Sequence, residues 1–408
     1  MKILLLTQYF WPEDFRINDL AAGLVQKGHE VTVITGIPNY PGGKYFSGYG
    51  LFRNLRQEHC GVKVLRLPVI PRGKGGRLRI AINYLSFLAS TLIFAPFLCR
   101  GKIDVIFFSL SPLAEGIPAV LLKKLKKASL VFWVQDLWPE SLSASKVFLN
   151  PFLHDIIRKI ISRIYNSCDR ILVQSRSFAP FINKMGVAQE RISYFPNFAE
   201  DFYQPLEPGP DAPERKVLPR GFIVMFAGNI GASQDFPTII SAAEKLKEHP
   251  QINWVIIGEG RMLRWAQEEV SARNLSRNVI FLGKHPAQMM PRYFALADVL
   301  LVTLKDEEIF KLTIPSKLQS YLACAKPVIA SLAGEGARII EESRAGFSCR
   351  PEDPSMLAEL VLKMYHIDVQ ERRVMGLKGR EYFENNFCRT MLINQLDELV
   401  GKIRGART

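Results

Sequence analysis

Short apolar runs recur along the chain, filled at nearly every position rather than at alternate ones. Ile3–Leu6, Val31–Thr35, Val62–Leu67, Val105–Ser109, Leu130–Val134 and Ile171–Val173 form a first series. Such runs suit strands buried on both faces of a parallel sheet. Stretches with helical spacing lie between them; Asp19–Lys27 is one, closed by Gly28, a residue suited to a helix C-terminus. From Pro196 to Arg220 the series breaks. Pro205, Pro208, Gly209, Pro210, Pro213 and Pro219 crowd a stretch without apolar period, which marks a linker. The alternation then restarts with strands at Phe222–Ala227, Trp254–Ile257, Val279–Leu282, Val299–Val302 and Val328–Ala330. Helices are predicted at Phe236–Glu248, Met262–Asn274 and Ser316–Ala323, and Pro354 to Arg404 reads as helical without a strand. The pattern predicts an α/β protein of two Rossmann-like halves, each a doubly wound parallel sheet, with its chemistry in the cleft between them.

Length agrees, since 408 residues exceed what one core usually supports. The 53 Lys and Arg against 39 Asp and Glu give a net charge of +14, which favours an anionic partner. No nucleic-acid motif accompanies the charge, and a basic surface without further purpose stays open. Cys60, Cys99, Cys168, Cys324, Cys349 and Cys388 form no C-x-x-C, and the six histidines form no ligand pair, so neither a metal site nor a disulfide framework is expected. The opening apolar run stops at Thr7, too short for a secretory h-region, and reads as a buried first strand.

In open α/β sheets ligands bind beyond the carboxyl ends of the strands. There the chain places Gly228-Asn229-Ile230-Gly231-Ala232-Ser233-Gln234, and after the next strand Gly258-Glu259-Gly260-Arg261. Glycines let backbone N–H groups approach a phosphate, although each segment also suits a plain turn. Ile314-Pro315-Ser316-Lys317 opens a helix. With Pro315 at its first position and Ile314 at the cap, free amides, the Ser316 hydroxyl and the Lys317 ammonium would converge on a diphosphate. The plainer alternative is a capped helix with a solvated lysine.

These segments, in this order and with Ala323-Cys324-Ala325-Lys326-Pro327-Val328-Ile329-Ala330, resemble the donor half of glycosyltransferase family 4, the retaining GT-B enzymes. Gln8-Tyr9-Phe10-Trp11-Pro12-Glu13, Lys27-Gly28-His29-Glu30-Val31 and Asp136-Leu137-Trp138-Pro139-Glu140-Ser141 resemble a bacterial subgroup that builds O-antigen, capsule or colanic acid and includes N-acetyl-fucosamine transferases. The resemblance implies an acceptor domain over residues 1–205 and a nucleotide-sugar domain over 206–384, with a last helix, about 385–408, returning to the first. It implies donor contacts at Gly228, Asn229, Gly231, Gln234, Gly258, Glu259, Arg261, Ile314, Pro315, Ser316 and Lys317. It implies no metal or other cofactor, a nucleotide-sugar donor (UDP with an N-acetylated deoxyhexose) and a polyprenyl-diphosphate-linked acceptor. The work would be done at the cytoplasmic face of the bacterial inner membrane.

The chain also departs from the family. The Glu-x7-Glu pair of many members falls on Leu312 and Ser320, leaving Glu307 and Glu308 as upstream substitutes. Asn229 and Gln234 stand where many members carry Arg and Lys, which shifts phosphate charge onto Lys317 with Arg261 as helper. The usual N-domain histidine is absent. Asp136, just past the strand Leu130–Val134, is the first candidate for a catalytic carboxylate, with an N-cap as its alternative. Glu13 is the second, with loop ordering as its alternative. Arg16 and Glu140 are acceptor or sugar candidates.

Arg72, Lys74, Arg77 and Arg79 precede an apolar stretch from Ile80 to Leu98. Its length is about that of a bilayer span, roughly 20 residues, but Asn83, Ser86, Ser90, Thr91 and Pro96 interrupt it. A basic flank beside an apolar helix fits an anionic membrane surface, with a buried core helix as the alternative. For the chain as a whole, a nucleotide-sugar epimerase and a non-catalytic scaffold are the rival readings.

Overall fold

The computed structural model describes residues 1–74, 76–109, 111–138 and 150–405. The chain forms two compact units, Met1–Phe195 with Thr390–Thr408, and Pro196–Arg389. The division comes at Phe195, ahead of the proline-rich stretch rather than inside it.

The first unit is built on β1 (Lys2–Leu6), β2 (Glu30–Gly36), β3 (Arg56–His59), β4 (Val62–Leu67), β5 (Val105–Phe108), β6 (Ser129–Val134), β7 (Arg170–Val173) and β8 (Ile192–Tyr194). They form one sheet in the order β3-β4-β2-β1-β5-β6-β7-β8. All neighbours are parallel except the β3–β4 hairpin. Every residue of β5 and β6 is buried, as their apolar runs predict. The edge strand β3, Arg-Gln-Glu-His, carries no apolar run; it pairs with β4, and its His59 stacks on Trp11 at 4.3 Å between ring centroids.

Right-handed crossovers fix which face each helix covers. The steps β4 to β5, β5 to β6 and β6 to β7 run in one direction, so the helices Arg77–Leu98, Ile117–Lys126 and Pro151–Ser167 share a face. The helix Arg16–Gln26 returns the other way and lies opposite, where the C-terminal helix Arg389–Gly405 joins it. A Cβ on Gly23 would stand 2.8 Å from the Ile393 side chain, and His29 Nε2 lies 2.8 Å from Asp397 Oδ1.

The helix Arg77–Leu98 is turned inside out. Beyond Arg79 its polar residues face the protein: Asn83 donates to the Ile70 carbonyl at 2.6 Å, Ser90 to Pro68 at 2.5 Å, and Thr91 to Phe87 at 2.7 Å. Its exposed row is Leu78, Ala81, Leu85, Ala89, Ile93 and Phe97, apolar throughout. The polar residues that interrupt the apolar stretch therefore do not mark a solvent face.

The second unit holds β9 (Phe222–Ala227), β10 (Ile252–Ile257), β11 (Val279–Gly283), β12 (Val299–Thr303), β13 (Val328–Ser331) and β14 (Gly346–Cys349). They form an all-parallel sheet in the order β11-β10-β9-β12-β13-β14. Its core gathers Phe226, Trp254, Ile239 and Leu357 from strands and flanking helices.

Candidate functional site

The second unit brings its glycine loops together at the carboxyl edge of the sheet. β9 pairs with β10, so the turns after Ala227 and Ile257 emerge side by side. Gly228 N donates to the Ile257 carbonyl at 2.9 Å, Ile230 N to Glu259 at 2.8 Å, and Met262 N to Ile230 at 3.0 Å. No side chain fits between these loops. A Cβ on Gly258 would meet the Gly228 carbonyl at 1.9 Å, and one on Gly260 the Ile230 carbonyl at 2.1 Å. Gly228 and Gly258 also hold φ of 145° and 147°, which L side chains rarely adopt.

Lys317 reaches this edge from the helix Ser316–Ala323. Its Nζ sits 3.8 Å from the Phe226 ring centroid and donates to Gln234 Oε1. A Cβ on Gly228 would lie 3.2 Å from that ammonium, so the bare glycine backbone makes room for it. Among the described residues Lys317 has no carboxylate partner. Desolvation lowers its pKa to about 7. A cation so placed gains most from an anion that restores its charge. Tyr321, one turn on, holds the helix to β9 by accepting from Ala227 N at 2.9 Å. Neither Phe226 nor Tyr321 stands out in sequence, because each lies inside an apolar run.

The cap differs from expectation. Pro315, not Ile314, is the N-cap residue, in extended conformation, and Ser316 is the first helical position. Ile314 is buried in the core at 1% exposure, so its side chain is not available to a donor. Ser316 is exposed, as are Asn229, Glu259 and Arg261, while Gly231 is buried and Gln234 is held by Lys317. Glu308 pairs with Lys311 at 2.7 Å, beside Asp306 on the same ammonium at 3.0 Å. Glu307 precedes the short helix Glu308–Lys311 and is exposed.

In the first unit the parallel register brings the ends of β1, β5 and β6 to one edge. Glu115, fully buried, accepts from Gln8 N at 2.8 Å and from Ser109 N at 3.2 Å, joining the turns after β1 and β5. Asn83 accepts from Tyr9 Oη at 2.9 Å and Gln8 Nε2 at 2.7 Å. Asp136 follows β6 and is open to solvent, flanked by fully buried Leu137. The surrounding protein still desolvates its carboxyl enough to raise its pKa. Tyr84 lies in electrostatic reach of Arg72, Glu115 and Asp136, and burial raises its phenol pKa.

Glu13 takes the loop-ordering role. At 2% exposure, its Oε1 accepts from Asn39 N at 2.8 Å and Tyr40 N at 2.7 Å, and its Oε2 from Phe10 N at 3.3 Å. Burial pushes its pKa up to about 7, against the pull of those amides and of Arg66. The catalytic reading of Glu13 is thus replaced by a buried staple between two loops. Arg16 is half-buried at the start of the helix Arg16–Gln26, and Glu140 lies outside the described residues.

Arg72 also departs from its expected place on a membrane flank. Its guanidinium lies 5.8 Å from the Tyr9 ring centroid and 5.0 Å from that of Tyr40, within an aromatic cluster completed by Phe15. Lys74 and Arg79 are exposed, and Arg77 opens the inverted helix. Among the described residues no group of three or more His, Cys, Asp or Glu is placed to hold a metal ion.

Comparison with known proteins agrees with this arrangement. Residues 15–197 match the model of the glycosyl transferase 4-like domain, and residues 212–382 that of the glycosyl transferases group 1. The probable glycosyltransferase WbjE of Pseudomonas aeruginosa is 27% identical over 70% of this chain and 71% of its own length. The putative colanic acid biosynthesis glycosyl transferase WcaI of Escherichia coli is 27% identical over 79% of this chain and 81% of its own. Among solved structures, Anabaena Alr3699/HepE in complex with UDP superposes with TM-score 0.74 at 16% identity, over 98% of this chain and all of that one. Sucrose-phosphate synthase of Thermosynechococcus elongatus gives TM-score 0.78 at 17% identity over the full length of both. The two family models between them span most of the chain, and the chain belongs to the family 4, group 1 glycosyltransferases, with the GT-B fold and the polysaccharide-biosynthesis type of relatives.

Proposed function

We propose that this enzyme transfers a sugar, with retention, from a nucleotide diphosphate to a lipid-linked saccharide in bacterial surface-polysaccharide assembly. UDP carrying an N-acetylated deoxyhexose such as N-acetyl-fucosamine is the proposed donor, and a polyprenyl-diphosphate saccharide the proposed acceptor. The observation that carries the reading is Lys317: a desolvated ammonium without a carboxylate partner among the described residues, facing a glycine loop that no side chain can fill. The bound UDP of the Anabaena neighbour and the name of the E. coli relative support donor and pathway type.

In this reading the donor diphosphate lies against Gly228–Gly231, with Lys317 on its charge and exposed Arg261 as helper. The sugar C1–O bond breaks as the acceptor oxygen bonds to C1 on the same face. The acceptor proton passes to a donor phosphate oxygen, and Asp136 orients the hydroxyl. Lys317 and backbone amides meet the leaving charge, so the proposal assigns no metal or cofactor.

The proposed location is the cytoplasmic face of the inner membrane, in peripheral attachment. The exposed apolar row of the helix Arg77–Leu98 supports it, with Lys74 and Arg79 at its start. Buried polar residues on the other side fix that helix to the unit, so it lies on a surface rather than crossing it.

The test is turnover of a nucleotide-sugar panel with a polyprenyl-diphosphate saccharide, reading product anomer by NMR. Release of nucleotide with a retained linkage is expected. An inverted product, or a donor isomerised without acceptor, overturns the proposal; the latter is the epimerase outcome.

A further inference from the structure

We propose that a basic recess on the helix Pro151–Ser167 is a binding site for the headgroup phosphate of an anionic phospholipid, and a second foothold on the bilayer. It rests on the membrane reading above and goes beyond it, since neither this helix nor Lys184 belongs to the Arg72–Leu98 segment.

The recess has a volume of about 510 Å3 and is lined by Arg158, Lys159, Arg163 and Lys184, with Asp155 as its one carboxylate. Its wall is fixed: Ser162 Oγ donates to the Met185 carbonyl at 2.8 Å, and Asn166 Nδ2 donates to the same oxygen at 2.9 Å. Among the described residues none of the four cations has an ion-pair partner, and Asp155 Oδ1 lies 3.9 Å from His154 Nδ1. Lys184 Nζ lies 5.5 Å from the Phe181 ring centroid, but with no carboxylate paired to them among the described residues the four cations around one concavity repel one another, and a phosphate relieves that repulsion.

The same helix carries its apolar residues toward its start. Phe152 is 74% exposed, and Leu153 and Ile156 are exposed beside it. Buried Ile161, Ile164 and Tyr165 hold the opposite side to the core. An apolar end in line with a cationic recess matches the two parts of a phospholipid, acyl chain and headgroup.

The neighbouring helices extend the surface. Ile117–Lys126 packs against both Arg77–Leu98 and Pro151–Ser167 and exposes Leu121 and Leu125 between them. Lys123 ties it to the latter by donating to the Ser167 carbonyl at 2.7 Å. Three helices on one face of the sheet thus all turn apolar side chains outward. A free soluble anion leaves those residues unexplained. A second copy of the chain would set four cations against four, whereas an anionic bilayer satisfies both features.

The experiment is co-sedimentation of the full chain with vesicles of phosphatidylcholine alone or mixed with phosphatidylglycerol. Wild type, Arg163→Gln/Lys184→Gln, Leu85→Ser/Phe97→Ser and a charge-matched control, Lys247→Gln/Lys378→Gln in the second unit, are compared. All six positions are exposed, so folding is checked by unchanged melting. The recess variant is expected to lose roughly tenfold of its affinity for phosphatidylglycerol vesicles and to match wild type on phosphatidylcholine. The apolar variant is expected to lose binding to both, and the control to neither. Glycerol phosphate in solution is expected to compete only weakly. Equal loss in the charge-matched control, an unaffected recess variant, or saturation by glycerol phosphate without vesicle binding overturns the proposal. So does a wild-type dimer that the recess variant abolishes. Turnover with a soluble acceptor analogue is read in parallel, so failure here is separable from failure of the glycosyl-transfer reading.

Discussion

The proposed donor chemistry rests on one atom, Lys317 Nζ, and its environment gives that proposal a pH signature. Its pKa is near 7 in the free protein because burial disfavours the charged form. A bound diphosphate favours the charged form, so nucleotide binding draws in a proton above pH 7. Affinity for UDP is expected to fall up to about tenfold per pH unit from pH 8 upward, where the free lysine is neutral and the bound one charged. Calorimetry in two buffers of unlike ionisation enthalpy reads the proton directly, and Lys317→Met should remove it. Asp136 titrates from the other side: its pKa is raised, so falling pH protonates it before an ordinary carboxylate. Asp136→Asn is expected to lower kcat by roughly 100-fold or more and leave nucleotide affinity unchanged. Glu13→Ala strands the amides of Phe10, Asn39 and Tyr40, at about 1–3 kcal/mol for a buried donor left unmade. The measurement there is the melting temperature, which should fall. Asp136 was legible as a candidate because it follows the apolar run Leu130–Val134, and Lys317 because Pro315-Ser316-Lys317 opens a helix. The role of Glu13 was not, since nothing in sequence shows that the loop at Asn39 and Tyr40 folds over it.

At the scale of elements, apolar runs located the parallel strands to within a residue or two. They missed β3, whose residues are polar, and β8 and β14, whose apolar residues are interrupted by Ser193 and by Ser348. They also left open which way the helix Arg77–Leu98 faces. It is apolar nearly all round, and its orientation depends on partners for Asn83, Ser86 and Ser90 that come from Pro68 and Ile70 in the loop after β4. The glycine loops are specified more tightly. Gly258→Ala puts a Cβ 1.9 Å from the Gly228 carbonyl at a φ that alanine avoids. About 2 kcal/mol or more of stability should be lost, read as a lower unfolding midpoint, and nucleotide affinity should fall with it. Gly28→Ala, with a positive φ but open space around it, should be milder.

At the scale of the molecule, one fold is repeated with its two copies put to different use. In the proposed reading the second unit meets an anion with one lysine and two glycine loops. The first offers a carboxylate and an aromatic cluster, and it turns an apolar, cation-edged face outward. The net charge of +14 fits both an anionic donor and an anionic surface. The fold and the pairing of the two glycine loops at one sheet edge were readable in advance, because strand alternation and loop glycines are local signals. The outward apolar face was not, since it depends on which side of each helix the sheet occupies. The central claim is that the edge around Lys317 holds a nucleotide-sugar diphosphate. Its most direct test is thermal unfolding of wild type and Lys317→Met with UDP-, GDP- and dTDP-sugars. One ligand at about 100 times its dissociation constant should stabilise wild type by about 2.7 kcal/mol, and the variant should show little of that rise. No stabilisation by any nucleotide-sugar, or an equal rise in both proteins, would contradict the account.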